Sequence, residues 1–310
     1  MSKKRNQRMK IEEIHTILVI GAGTLGGQIA LQCAMHGFEV NLYDISSEAL
    51  DQGLQLIHGY VDGLSGAGSL TEAQAAAALS RIHPLTDPQK AAQAELVSES
   101  VPEDPQLKGK VFAQFNSLCP PQTIFTTNTS TLLPSMYAQA TGRPDRFAAL
   151  HFHGYVWISN VVDIMPHPGT SVETLDLLEA FAHRIGQIPI RLAKESNAYV
   201  LNAMLNAFLR AATSLAAKQV TSFENVDRAW MGVMKTPVGP FGILDQVGIE
   251  TAYDINQYWA KALNDPELQA NADFLKTYVD QGWLGVKTGR GFYSYPNPEF
   301  LKPGFVSGEK

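Results

Sequence analysis

The sequence predicts an α/β domain built on a parallel sheet, followed by an all-helical domain. Two observations support this prediction. Short β-branched runs alternate with helical patterns up to residue 193, beginning with a buried strand at Thr16–Ile20 and a second strand at Phe38–Tyr43. After Lys194 no convincing strand pattern appears, and residues 200–219 form one long apolar helical stretch. A chain of 310 residues is long enough for two such domains.

The other elements follow from periodicity and from helix breakers. Residues 46–81 predict a helical hairpin inserted after the second strand, because a Gly/Ser-rich break at residues 63–69 interrupts the helical pattern. A helix at Gly27–His36 joins the first two strands. Further strands are predicted at Leu96–Glu99, Ile124–Thr127, Phe147–Phe152, Asn160–Met165 and Ile188–Leu192, and further helices at Pro105–Leu118 and Ser171–Ile185.

The predicted domain limits are residues 12–193 for the α/β domain and residues 194–310 for the helical domain. Residues 1–11 are expected to form a disordered basic tail, because a solvated end is the common outcome for such a basic run. The run does not resemble a secretory signal, since no apolar segment follows it. Lipid or nucleic-acid binding by this run is the less common alternative.

Composition and charge limit the classes of partner that the protein is expected to bind. The formal net charge of −6 provides no basic field for nucleic acid or an anionic membrane surface. No apolar run approaches the roughly 20 residues that a membrane span needs. Cys33 and Cys119 show no metal-ligand or CxxC spacing, which is typical of reduced thiols in a cytosolic protein. We therefore expect a cytoplasmic location, with no nucleic-acid and no membrane partner.

A glycine-rich segment separates the first strand from the first helix. It has the pattern Gly-x-Gly-x-x-Gly and consists of Gly21, Ala22, Gly23, Thr24, Leu25 and Gly26. In this context the pattern predicts a Rossmann-type dinucleotide site, in which the glycines allow a tight turn, a close approach of the pyrophosphate and close helix packing. The phosphates would lie at the helix N-terminus, where backbone N–H groups are free.

Asp44 ends the second strand at about the spacing expected of a ribose-binding acid. A carboxylate there accepts hydrogen bonds from the 2′-hydroxyl and repels a 2′-phosphate. Since residues 45–47 supply no arginine, the sequence predicts NAD rather than NADP as the cofactor. The alternative is a glycine-rich turn without function, with Asp44 as a simple helix N-cap.

The segments LHFHGYV (150–156) and TNTSTL (127–132) resemble the L-3-hydroxyacyl-CoA dehydrogenase family. The resemblance continues through YVLN (199–202), PVGPF (237–241) and KTGRGFY (287–293), so that it covers residues 16–295 nearly throughout. TLLP at 131–134 and VW at 156–157 look most like a diketoreductase-type branch of that family.

The resemblance implies a set of site residues. It makes His151 the general acid/base and Asp163 its carboxylate partner, and it places Ser130 and Asn202 at substrate-binding positions. Such a set suits the oxidation of a secondary alcohol: a neutral imidazole takes the proton, the carboxylate fixes its tautomer, and polar groups bind the reacting oxygen. NAD would carry the redox step, so no metal site is predicted.

On the cofactor side, the resemblance places Glu103 near the cofactor and the catalytic pair, and Asn128 among the cofactor-binding residues. Structural roles are the alternatives for the catalytic set: a surface acid for Asp163, a turn cap for Ser130 and a helix cap for Asn202. His153 is the rival base, since it lies two residues after His151 on the same face of a regular strand.

Three departures from the family pattern concern the reaction centre and the substrate. Asp163 replaces the usual glutamate and Gly154 the usual asparagine. The hairpin, where relatives use lysines to bind the phosphates of coenzyme A, has no Lys or Arg between residues 45 and 80. It does carry the acids Glu48, Asp51, Asp62 and Glu72.

The resemblance therefore implies reversible hydride transfer between NAD(H) and C3 of an L-3-hydroxyacyl-CoA or 3-oxoacyl-CoA, with a short chain favoured. A coenzyme A-free 3-hydroxy or 3-oxo acid, or a diketo ester, is the alternative substrate. A catalytically idle, NAD-binding structural relative is the second alternative. The resemblance also implies a homodimer formed through the helical domain. A second chain would cover the long apolar stripe of residues 200–219. The alternative for this stripe is an ordinary core helix.

Overall fold

The computed structural model describes residues 9–308, which form two compact units divided between Val200 and Leu201. The predicted boundary at residue 194 is therefore too early. Residues 194–200 belong to the first unit because Tyr199 is buried in a cluster with Ala149 and Met165. The backbone N–H of Ser196 also lies 3.2 Å from the sulfur of Met165.

The first unit combines an eight-stranded sheet with helices. The strands are β1 (Thr16–Ile20), β2 (Glu39–Tyr43), β3 (Ile82–Leu85), β4 (Leu96–Glu99), β5 (Ile124–Thr127), β6 (Phe147–Phe152), β7 (Val161–Pro166) and β8 (Ile188–Arg191). The helices are α1 (Thr24–Met35), α2 (Ser47–Gly66), α3 (Glu72–Ser80), α4 (Pro88–Ala91), α5 (Pro105–Leu118) and α6 (Val172–Arg184).

The strand order is β3-β2-β1-β4-β5-β6-β7-β8, and neighbouring strands are parallel except for the antiparallel pair β6 and β7. The first six positions follow the doubly wound order of dinucleotide-binding domains, which confirms the predicted Rossmann-type sheet. The carboxyl ends of β1, β4, β5 and β6 consequently meet at one edge of the sheet.

Burial on both faces explains the continuous apolar run of β1. Ile17 and Val19 join a core cluster that includes residues of α1, α2 and α6, whereas Leu18 and Ile20 join a second cluster with residues of α5. Such two-sided burial is typical of parallel strands. The helical hairpin is confirmed as α2 and α3, and both helices pack on α1.

Strand β3 and the short helix α4 were not predicted from the sequence. β3 is an edge strand that pairs only with β2, and Pro84 and the exposed His83 interrupt its apolar pattern. His83 instead forms a 2.7 Å contact with Glu39 on β2. An edge strand of four residues carries too little periodicity to be recognised.

The second unit is helical, as predicted. Its helices are α7 (Leu201–Ala217), α8 (Phe223–Met234), α9 (Pro240–Val247), α10 (Ile249–Leu263) and α11 (Pro266–Val279). Between residues 201 and 308 the only β-structure is a pair of isolated bridges at Gly285, Arg290 and Ser294.

Two buried aspartates hold two of the family segments in place in this unit. Asp227 accepts hydrogen bonds from the backbone N–H groups of Phe241 and Gly242 at the start of α9. Asp245 accepts hydrogen bonds from the backbone N–H groups of Phe292 and Tyr293. The segments 237–241 and 287–293 therefore organise the core of the helical unit.

At the N-terminus, the predicted tail is too long. Residues 1–8 lie outside the described residues, but Met9 and Ile11 pack against the core of the first unit. Arg184 donates a 2.8 Å hydrogen bond to the carbonyl of Ile11, where a short 3-10 turn begins. Among residues 9–308, no helix combines the length and the apolar character that crossing a bilayer requires.

Candidate active site

The glycine-rich segment forms a tight turn between β1 and α1. Gly21 has a φ of +101°, and its N–H donates a 2.8 Å hydrogen bond to the carbonyl of Tyr43. A Cβ on Gly26 would lie 1.9 Å from the carbonyl oxygen of Gly21, so a side chain there would push the helix away from the turn. The first and third glycines of the pattern are therefore required by the backbone.

The second glycine opens the turn to a ligand. Gly23 is the N-cap of α1 and makes no side-chain cap, and a Cβ built on it would meet nothing within 4 Å. Gly23 and Thr24 are exposed, and Leu25 is half-buried. The first N–H groups of the helix thus face open space, as a pyrophosphate requires.

Asp44 lies beside this turn at the end of β2. Its Oδ2 accepts a 2.9 Å hydrogen bond from the N–H of Ala22, and its Oδ1 accepts a 3.1 Å bond from the N–H of Ser46. Each carboxylate oxygen keeps a lone pair for a ribose hydroxyl. The N-cap of α2 is Ser46, so the alternative reading of Asp44 as that cap is wrong. These residues fit a dinucleotide with a free 2′-hydroxyl.

His151 and Asp163 face each other directly across the antiparallel pair β6 and β7. His151 Nδ1 lies 3.2 Å from Asp163 Oδ2, and the two side chains are only 6% and 2% exposed. The shorter aspartate reaches the imidazole because the strand register places the two residues opposite each other. A hydrogen bond here assigns the proton to Nδ1 and leaves Nε2 as an acceptor.

The surroundings hold Asp163 in its ionised form. Burial acts to raise the pKa of this carboxyl, but hydrogen bonds and charge interactions with His151 and His153 outweigh it. The pKa of Asp163 therefore lies below its ordinary value. An ionised partner stabilises the imidazolium that forms when His151 takes a proton.

Two aromatic rings border His151. The ring of His153 stands nearly perpendicular to it, with centroids 4.8 Å apart, and its Nε2 lies 3.5 Å from the same Asp163 oxygen. The ring of Tyr199 lies 4.7 Å away on a tilt of 32°. Tyr199 begins the family segment YVLN, in which only Asn202 was predicted to have a role.

Glu103 organises the loop that follows β5. Its Oε1 accepts a 2.9 Å hydrogen bond from the N–H of Ser130 and 3.2 Å bonds from the N–H and hydroxyl of Thr131, and the hydroxyl of Thr129 also donates to it. Burial acts to raise the pKa of Glu103, but these hydrogen bonds and Lys108 lower it below its ordinary value. Glu103 thus positions the backbone of Ser130 at the same sheet edge as His151.

Beneath that loop lies a buried ion pair that was not predicted from the sequence. Lys108 Nζ lies 2.7 Å from Glu99 Oε1 and 3.2 Å from Glu103 Oε2, and both Lys108 and Glu99 are within 1% of full burial. Glu99 also accepts a 2.7 Å hydrogen bond from the hydroxyl of Thr127. The available signal was the acid Glu99 at the end of β4, followed nine residues later by Lys108 near the start of α5.

Two further predicted site residues are Asn128, which makes a structural hydrogen bond, and Asn202, which lies in the helical unit. Asn128 Oδ1 accepts a 2.8 Å hydrogen bond from the N–H of Phe152, so this side chain braces the end of β5 against β6. Its predicted contact with the cofactor stays a prediction. Asn202 lies in the first turn of α7, in the helical unit, and its role in binding the substrate also stays a prediction.

Comparison with known proteins supplies the family. A family model described as the 3-hydroxyacyl-CoA dehydrogenase NAD binding domain matches residues 16–196, and the C-terminal domain of the same family matches residues 199–295. The chain belongs to the 3-hydroxyacyl-CoA dehydrogenase family. It is accordingly an oxidoreductase that acts on CH–OH groups, and its first domain binds NAD.

Individual relatives and solved structures support this family assignment. The chain is 33% identical to a probable 3-hydroxybutyryl-CoA dehydrogenase of Deinococcus radiodurans, over 89% of this chain and 99% of that protein. A diketoreductase structure, reported for substrate-directed dual catalysis of dicarbonyl compounds, is 40% identical, with a TM-score of 0.84 and coverage of 91% and 99%. The (S)-3-hydroxybutyryl-CoA dehydrogenase of Ralstonia eutropha is 31% identical, with a TM-score of 0.83 and coverage of 92% and 100%.

The buried ion pair gives a first testable prediction. Lys108→Met leaves Glu99 buried without its cation, and we expect it to lower the free energy of unfolding by about 3–5 kcal/mol. The matched control is Lys110→Met, an exposed lysine on the same helix, which should change it by no more than about 0.5 kcal/mol. Urea unfolding followed by circular dichroism measures both. Equal losses in the two variants would contradict the assignment.

Proposed function

We propose that this enzyme catalyses reversible hydride transfer between NAD(H) and C3 of a short-chain L-3-hydroxyacyl-CoA or 3-oxoacyl-CoA. The observation that carries the proposal is the buried pair of His151 and Asp163, which lies at the same sheet edge as the glycine-rich turn. The relatives named as 3-hydroxybutyryl-CoA dehydrogenases support a short acyl chain.

In the proposed oxidation, Nε2 of His151 takes the proton of the 3-hydroxyl group, and Nδ1 keeps its hydrogen bond to Asp163. The ionised carboxylate stabilises the resulting imidazolium, and in reduction the proton returns to the carbonyl oxygen. We propose that Ser130 and Asn202 hydrogen-bond that oxygen and favour the negative charge that develops on it. Bound NAD supplies the nicotinamide carbon that exchanges the hydride.

The helical hairpin favours a second candidate substrate. Helices α2 and α3 carry no Lys or Arg, and their acids Glu48, Asp51, Asp62 and Glu72 are exposed. Coenzyme A is a polyanion that proteins hold largely through charge-assisted bonds to its phosphates. A coenzyme A-free 3-oxo acid or diketo ester therefore suits this surface better, and the diketoreductase neighbour acts on dicarbonyl compounds.

The catalytic role of His151 is tested by substitution. We expect His151→Asn to lower kcat by about 10²- to 10⁴-fold, because it removes general acid/base catalysis. NADH affinity, measured by fluorescence titration, should change little. His183→Asn, at an exposed position on α6, is the control and should retain full turnover. If only His153→Asn abolished turnover, the role of base would pass to His153.

The two substrate candidates differ in one measurable ratio. Acetoacetyl-CoA and the acetoacetyl thioester of N-acetylcysteamine carry the same reacting carbonyl, but only the first carries the phosphates. We expect kcat/KM to be at least about 10-fold higher for acetoacetyl-CoA, which corresponds to 1.4 kcal/mol of binding to the coenzyme. Equal values, with faster turnover of a diketo ester, would favour the second candidate. No turnover of any 3-oxo compound, with NADH bound, would point to an idle relative.

We also propose that the enzyme is a cytoplasmic homodimer formed through the helical unit. Helices α7, α9 and α10 line an apolar groove in which Val247, Ile255, Trp259 and Leu263 are each at least 39% exposed. Exposed apolar clusters of this kind mark association surfaces, and a second copy of the chain would cover this one.

The dimer proposal predicts the effect of a charge in the groove. Trp259→Glu should shift the mass measured by light scattering from that of two chains to that of one, because the charge would be buried on association. Val233→Glu, on an apolar side chain of α8 that is 77% exposed and outside the groove, should leave the mass unchanged. A monomeric parent protein would contradict the proposal.

A further inference from the structure

Three side chains at the reaction centre converge in a way that acid/base catalysis does not require. His151 on β6 and His153, which directly follows β6, both contact Asp163 Oδ2 on β7. One ligand atom from each of the three lies within 4.8 Å of the other two. Catalysis by His151 uses one imidazole and one carboxylate, so the second imidazole has no part in it.

The distances match the ligand spacing of a tetrahedral zinc site. Zinc bonds of about 2.0–2.1 Å to nitrogen and oxygen place neighbouring ligand atoms roughly 3.3 Å apart. Asp163 Oδ2 lies 3.2 Å from His151 Nδ1 and 3.5 Å from His153 Nε2. Two of the three edges of the ligand triangle therefore need almost no movement, and the third, between the two imidazole nitrogens, must shorten from at most 4.8 Å.

The second imidazole carries an unsatisfied group. His153 Nε2 is buried, and its 3.5 Å contact with Asp163 Oδ2 is too long for a well-formed hydrogen bond. A buried polar atom without a hydrogen-bond partner lowers the stability of the fold. A ligand or ion that bonds to this atom removes that cost, so such an atom favours binding. Two imidazoles and one carboxylate form a donor set that suits zinc and other late transition metals, but not Mg²⁺ or Ca²⁺.

We propose that His151, His153 and Asp163 form a zinc site with an open fourth position, and that zinc bound there reversibly inhibits the enzyme. The ion replaces the proton that His151 Nδ1 shares with Asp163, and this proton is released to the buffer. Zinc binding thereby removes the orienting hydrogen bond of the general acid/base and engages its carboxylate partner. The binding itself does not depend on the proposed function, whereas the inhibition does.

Direct binding is measured on the full-length protein after treatment with a chelator. Titration calorimetry with ZnCl₂ should give one ion per chain, and Co²⁺ in its place should give the visible absorption bands of a four-coordinate site. His153→Gln should weaken zinc binding by at least about 10-fold. The matched control is His83→Gln, which removes the exposed pair of His83 and Glu39 and should leave the affinity unchanged.

Inhibition gives the second readout. Zinc should slow the parent enzyme, excess EDTA should restore its rate, and Mg²⁺ should have no effect. His153→Gln should need at least about 10-fold more zinc for the same fractional inhibition, relative to its own metal-free rate.

The metal site would be overturned by a parent protein that binds no zinc, or by zinc affinity that is unchanged in His153→Gln or lost in His83→Gln. Stoichiometric zinc binding that is weakened in His153→Gln, in an enzyme without turnover on any 3-oxo compound, would uphold the metal site and refute the proposed function instead.

Discussion

The reaction centre depends on the change of strand direction between β6 and β7. The strands of a doubly wound sheet present their carboxyl ends at one edge, and His151 reaches that edge as the second-last residue of β6. Because β7 runs antiparallel, its early residues lie at the same edge, and Asp163 is brought directly opposite His151. A parallel β7 would have placed that acid near the other end of the sheet.

Around this pair, buried charges fix the loops that must present polar groups to a substrate. The pair of Glu99 and Lys108 lies beneath the β5 loop, and Glu103 connects that pair to the backbone of Ser130. Isolated buried charges are costly, so each group here has several hydrogen bonds. The helical unit uses the same device, since Asp227 and Asp245 bind backbone N–H groups from distant segments.

Most of the fold could be predicted from the sequence, because strands, helices and tight turns each leave a pattern within a short segment. β1, β4, β5 and β6 lie at the predicted residues, and the glycine-rich turn could be recognised from its spacing and flanking elements. The register that pairs His151 with Asp163 is not encoded in any single segment, so only the family resemblance pointed to it. The same reason explains why Tyr199 and the pair of Glu99 and Lys108 were missed: their partners come from other elements.

The protonation state of the two ring nitrogens of His151 tests most directly whether Asp163 orients this imidazole as the general acid/base. Nitrogen-15 NMR of the histidine-labelled enzyme at neutral pH, with the signal assigned through His151→Asn, reports which nitrogen carries the proton. For the neutral ring we predict a proton on Nδ1 and a bare Nε2, and a loss of that preference in Asp163→Asn. A proton on Nε2 in the parent enzyme, or no change in Asp163→Asn, would contradict it.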